Sequence, residues 1–174
     1  MIPWHLRNGE VIDLLALPAK AKEISRIASC LAKLNRYGGE THYPYSVATH
    51  SVLVSHLCEP GHAIHGLRHD MTEACGIGDM HKCIKHLPSM QPFRDLEMHI
   101  GDQLGIYEPP DVKAADERAY HLELHYIHCA PPYEVEMRKP SKREQELAFT
   151  YLTHEIDWRT SRDMFLARYE ELTK

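Results

Sequence analysis

The chain reads as an all-α domain, and three observations predict it. Apolar residues recur at helical spacing in one segment after another, prolines and glycines punctuate those segments, and no stretch reads as a convincing strand. Its 174 residues fit one domain, 1–174, long enough to bury about two-thirds of the unfolded surface. No internal repeat or low-complexity tract divides it.

Residues 19–34 carry Ile24, Ile27, Leu31 and Leu34, a 3-4-3 spacing that predicts an amphipathic helix packed on a core. Gly38-Gly39 makes a turn. Ser46 then opens a second helix with Val47, Val54 and Leu57 on one stripe, and His50 shares that stripe, so it points inward. Pro60-Gly61 breaks the chain before a third helix from about His62 through Glu73, which Gly76 and Gly78 end. A short basic helix follows Asp79.

Pro92 begins a helical pattern with Leu96, Ile100 and Leu104 that closes near Gly105. Pro109-Pro110-Asp111 caps a longer helix whose stripe is Val112, Ala115, Ala119, Leu122 and Tyr126, with Asp116 at its edge. Pro131-Pro132 is the next break. From Ser141 to Lys174 the pattern gives two helices meeting near residues 157–161, with Leu147, Tyr151, Met164, Phe165 and Leu172 available for packing.

Composition narrows the function. The net charge of −5 argues against wrapping nucleic acid, whose binding needs Lys and Arg on many phosphates, but leaves room for a small anion in one basic pocket. The hydrophobic fraction of 43% is ordinary, and no apolar run approaches the ~18 residues of a membrane span. Met1-Ile2-Pro3-Trp4-His5 lacks the basic and apolar regions of a signal peptide, so the protein is expected to stay where it is made. Five cysteines, at 30, 58, 75, 83 and 129, form no CxxC pair and are odd in number, which points to reduced cytosolic thiols. Cys75 and Cys83 read as small buried residues rather than ligands.

Fourteen histidines raise both the chance of a metal site and the number of false candidates. One arrangement stands out. His69-Asp70 is an adjacent imidazole and carboxylate in a helical stretch, preceded by a lone His50 and followed by a lone Asp116. Neighbours on a helix splay by about 100°, so the pair can meet one ion from two directions near a right angle apart. Two imidazoles and two carboxylates hold a divalent metal and leave coordination positions open, which makes a metal catalytic. Such mixed ligands suit Mn, Fe, Co, Ni, Zn or Mg.

Glu73 lies four residues after His69 and three after Asp70, which puts its carboxylate on their face of a helix. It suits the orientation of a water or a proton relay, or else is a solvated helix-end carboxylate. Lys82 and Lys85, three apart, form either a phosphate clamp or a basic solvated face. Arg36, just before Gly38-Gly39, either grips phosphate with its fork or faces a helix C-terminus. His121, His125 and His128 have helical zinc-like spacing but no acidic or thiolate complement, so they are not taken as a second site.

Four blocks resemble the HD-domain metal-dependent phosphohydrolases, in the compact branch common in bacteria and their phages. They are Leu34-Asn35-Arg36-Tyr37-Gly38-Gly39, Tyr45-Ser46-Val47-Ala48-Thr49-His50-Ser51, His69-Asp70-Met71-Thr72-Glu73-Ala74 continuing to Gly78-Asp79 and Lys85, and Val112-Lys113-Ala114-Ala115-Asp116. Together they span about residues 34–123. The chain departs from the pattern at His81 and Cys83, where the family has prolines, at Glu40, at Arg68, and in a Glu73-to-Asp79 interval one residue longer.

The resemblance implies an all-α fold with His50, His69, Asp70 and Asp116 as metal ligands and Glu73 as the catalytic carboxylate. It places Asp79 near the substrate's sugar or the attacking water, and Arg36 and Lys85 on phosphate or sugar. It implies a 5′-deoxynucleotidase or a deoxynucleoside triphosphate triphosphohydrolase in a bacterial or phage-infected cytoplasm, acting on a small nucleotide and on neither duplex nor membrane. Lys82 and Arg68 are the candidates for holding two further phosphates. The alternatives are a phosphodiesterase on a cyclic or signalling nucleotide, and a catalytically silent metal- or nucleotide-binding regulator. Base preference, native metal and oligomeric state, a homo-oligomer included, stay open.

Overall fold

The structure, a computed structural model, describes residues 1–128 and 139–174; Cys129 and the Pro131-Pro132 break lie outside the described residues. It is mostly helical, with eight α-helices among the described residues: α1 Ile24–Leu31, α2 Val47–Leu57, α3 Ala63–Arg68, α4 Lys82–Lys85, α5 Gln91–Leu104, α6 Pro110–Tyr126, α7 Lys142–Leu152 and α8 Trp158–Leu172. No helix among them is long and apolar enough to cross a membrane.

The second helix is the hub. The Ser46 hydroxyl accepts from the Thr49 amide and starts it. Residues 47–55 are then buried without a break, where a single inward stripe was expected. The difference follows from position, since α2 packs against α3, α6, α7 and α8 together. Its polar residues are satisfied inside: Ser51 donates to the Val47 carbonyl, and the Thr49 hydroxyl bonds Ser161 of α8.

Two hydrophobic clusters lie on either side of this helix. Val47, Ala48 and Val52 join Ile27 and Leu31 of α1, Leu67 of α3, Ile100 of α5 and Phe165 of α8. Leu53 and Val54 join Val112, Ala115, Ala119 and Leu122 of α6 and Ala148 and Leu152 of α7. α7 begins at a capping box between Ser141 and Glu144, and α8 at Asp157.

Three expectations are corrected. An antiparallel hairpin, β1 Pro3–His5 with β2 Val11–Asp13, precedes the helices, turning at Asn8-Gly9, where Gly9 has φ +83°. The helix expected over 19–34 is a 3₁₀ turn, Ala19–Lys22, and then α1, with Glu23 extended between them so that both Ala21 and Ile27 reach the core. The third helix stops at Arg68, and the chain rewinds as a 3₁₀ turn, Met71–Cys75, all five residues of which are buried. No one-sided helix buries five residues in succession. Gly76, at φ +82°, ends the turn.

Candidate metal centre

Three helices bring the expected ligands together. His50, on buried α2, has no exposed surface; His69 caps the C-terminus of α3; Asp116 lies two turns into α6. His50 Nε2 is 3.1 Å from Asp116 Oδ1 and 3.6 Å from Asp70 Oδ2. His69 Nε2 is 3.1 Å from Asp70 Oδ2 and 3.8 Å from Asp116 Oδ1. The two Nε2 atoms are 3.3 Å apart. Among the described residues, His50, His69 and Asp116 form a group that can hold a metal ion, and Asp70 stands against both imidazoles.

The other ring nitrogens settle the chemistry of this donor set. His69 Nδ1 lies 2.8 Å from the Gly66 carbonyl, which only accepts, so Nδ1 carries a proton. His50 Nδ1 lies 2.5 Å from Glu123 Oε1 and is likewise the donor. In the neutral rings both lone pairs therefore sit on Nε2, and the two Nε2 atoms face each other between carboxylates. That arrangement calls for a cation. Without a metal, protons fill the role: burial opposes charge on His69, but the Asp70 and Asp116 carboxylates outweigh it and raise the pKa to about 9. Burial likewise works against ionised Asp70 and Asp116, yet the imidazoles beside them, and Arg36 in the case of Asp70, hold both below the usual range. A divalent ion displaces such protons.

Glu123 is the residue that the sequence reading missed. Fully buried on α6, it accepts from His50 and from the Tyr45 hydroxyl at 2.9 Å, and also from the Tyr37 hydroxyl, while Arg36 Nε lies 3.3 Å away. Burial alone would raise its pKa; Arg36, His50 and the Tyr37 hydrogen bond lower it instead. Its signal was present, because Glu123 follows Asp116 by seven residues, two helical turns along the same face, inside an otherwise apolar stripe.

Arg36 belongs to the centre as well. Its Nη1 is 3.6 Å from Asp70 Oδ2. Tyr37, Gly38 and Gly39 all take positive φ after it, and Asp79 Oδ2 accepts from the Tyr37 amide at 3.0 Å. Asp79 thus holds the turn that aims Arg36. Glu73 is buried within the 3₁₀ turn, with its Oε2 unpartnered, and burial together with Asp70 and Asp79 raises its pKa well above the carboxylate range.

The structure does not bring the two lysines together. Lys82 Nζ sits 4.5 Å above the Tyr120 ring of α6, whereas Lys85 Nζ pairs with Glu97 of α5 at 2.5 Å. Arg68 donates to the Leu104 carbonyl at 2.6 Å and braces the end of α5. His81 caps α4, accepting from the Cys83 amide. His128 lies edge-on to Tyr37, and His125 edge-on to Tyr126. Cys75 is buried as expected; Cys83 is exposed instead.

No protein-family model matches the chain, and no curated protein matches it.

Proposed function

We propose that this protein is a metal-dependent phosphohydrolase of deoxynucleotides, of the HD-domain kind its four sequence blocks resemble, cleaving the bond between the 5′ oxygen and phosphorus. The supporting observation is the convergence of His50, His69, Asp70 and Asp116 beside a buried Glu73. Those four residues would hold the ion, with nitrogen lone pairs fixed by Glu123 and Gly66. A divalent ion there supplies Lewis acidity toward a phosphoryl oxygen.

The chain's own groups do the rest. Arg36, paired with Glu123 through Nε and with Asp70 through Nη1, brings its guanidinium charge to the phosphoryl oxygens, where charge develops as the bond breaks. Glu73 holds a proton in its buried carboxyl. As water adds to phosphorus and the 5′ oxygen departs, that proton passes to the leaving oxygen, so the nucleoside leaves as an alcohol. Asp79 keeps the Arg36 turn in place through Tyr37. Monophosphates and triphosphates break the same bond, so this chemistry serves both.

The test is turnover of every deoxynucleoside mono- and triphosphate with Mn, Fe, Co, Ni, Zn or Mg, the products being separated by ion exchange. Deoxynucleoside plus phosphate or triphosphate, abolished by chelation, is the expected result. Tight metal binding without cleavage of any substrate would make the protein a silent binder instead.

A further inference from the structure

We propose that the groove between the N-terminal hairpin and α1 binds the nucleoside half of a nucleotide, with the base against Trp4 and the sugar at Glu73. The inference rests on the phosphohydrolase reading and adds where the leaving group lies. The groove has a volume of about 850 Å³, within the ~300–1,000 Å³ typical of small-molecule sites.

Glu73 forms part of its wall, and Glu73 sits in the 3₁₀ turn that Asp70 of the metal centre opens. Glu73 is thus common to the groove wall and to the proposed chemistry. The buried Oε2 of Glu73 has no hydrogen-bond partner in the chain. A sugar oxygen arriving along the groove supplies one.

Trp4 forms an aromatic wall of the groove. The hairpin sets it by pairing Trp4 with Ile12, whose side chain is buried, and the indole lies so close over Gly76 that an added methyl would come within 2.9 Å of it. Trp4 is nevertheless 39% exposed, and it lines the groove. An aromatic face that is fixed yet open is a stacking platform for any base.

The wall of the groove carries both signs of charge. Five Lys or Arg side chains line it, Arg7, Lys33 and Arg162 among them, together with the carboxyls of Glu23, Glu73 and Asp163. A base presents donors and acceptors together and can use both kinds of group.

Two variants test the proposal. Ser29→Trp fills the groove from α1, and Trp4→Ala removes the platform. With deoxynucleoside monophosphates each should raise KM about tenfold or more, the scale of a lost base stack. Turnover of 2-deoxyribose 5-phosphate, which has no base, should stay within about twofold, since one change removes the base stack, the other blocks the base, and neither alters Glu73, where the sugar lies. Equal losses on both substrates, no loss on either, or a loss confined to triphosphates would overturn the proposal. Independently of turnover, deoxyadenosine added to isotope-labelled protein should shift the Trp4 indole and Gly76 amide resonances in the wild type and not in Ser29→Trp. No shift in the wild type also overturns the proposal. If those resonances shift while no nucleotide is hydrolysed, the groove assignment stands and the phosphohydrolase reading falls.

Discussion

Glu123 accepts the Nδ1 proton of His50 at 2.5 Å, and neither side chain has any exposed surface. A buried carboxylate normally carries a heavy desolvation cost; here Arg36, two tyrosine hydroxyls and one imidazole offset it. Burial and the Glu123 charge raise the pKa of both tyrosines, so they remain donors. The same carboxylate orients a proposed metal ligand and anchors a proposed phosphate contact, which couples the two halves of the site.

Glu123→Gln is therefore expected to weaken metal binding by about 10- to 100-fold, the usual effect of losing a carboxylate behind a ligating imidazole. It also leaves Arg36 short of its countercharge, costing roughly 3 kcal/mol. Calorimetric metal titration and urea unfolding measure the two effects. Unchanged affinity would remove Glu123 from the centre.

How much of this was legible in sequence depended on range. Ser46 with His50, and Gly105 closing α5, are local signals read from a few neighbouring residues. The 3₁₀ turn over Met71–Cys75 was not legible, because five residues cannot separate a three-residue period from one of 3.6. Strands of three residues show too little alternation to be seen, and only Asn8-Gly9 marked the hairpin. Lys82 and Lys85 looked like a pair by spacing, yet their partners Tyr120 and Glu97 come from other helices. Glu123 lay in plain view as a charge in an apolar stripe, but its four partners come from Arg36 through His50.

His69→Ala or Asp70→Ala should each abolish metal retention and turnover, since His69 Nε2 and Asp70 Oδ2 face the same point 3.1 Å apart. Elemental analysis of purified variants decides it. A full metal complement with normal activity in either variant would sink the ligand assignment.

Glu73→Gln should fold, keep its metal and lose about 10²- to 10⁴-fold in kcat, the usual worth of a positioned acid or base. The motivation is its buried, proton-holding carboxyl beside Asp70. If elemental analysis instead found the metal gone, Glu73 would be a ligand and the proton-transfer step would have to be redrawn.

Gly76→Ala should destabilise the fold by roughly 1–3 kcal/mol through left-handed strain and overlap. Gly76 has φ +82°, and an added methyl meets the Trp4 ring at 2.9 Å. Thermal and urea unfolding give the magnitude. A variant as stable as the wild type would mean that the hairpin does not lie against the 3₁₀ turn.

His56, stacked on Tyr151 at the end of α2, gives the fold an acid sensitivity of its own. Burial, then the Arg168 and Arg143 charges, lower its pKa from 6.5. The unfolded chain therefore takes up the proton first, so this contribution to stability is complete above pH 6.5 and is lost as pH falls below it toward the folded-state value. Urea midpoints at neutral pH and about one and a half units lower should fall further for the wild type than for His56→Gln. Equal falls in the two proteins would show that His56 titrates alike in the folded and unfolded chains.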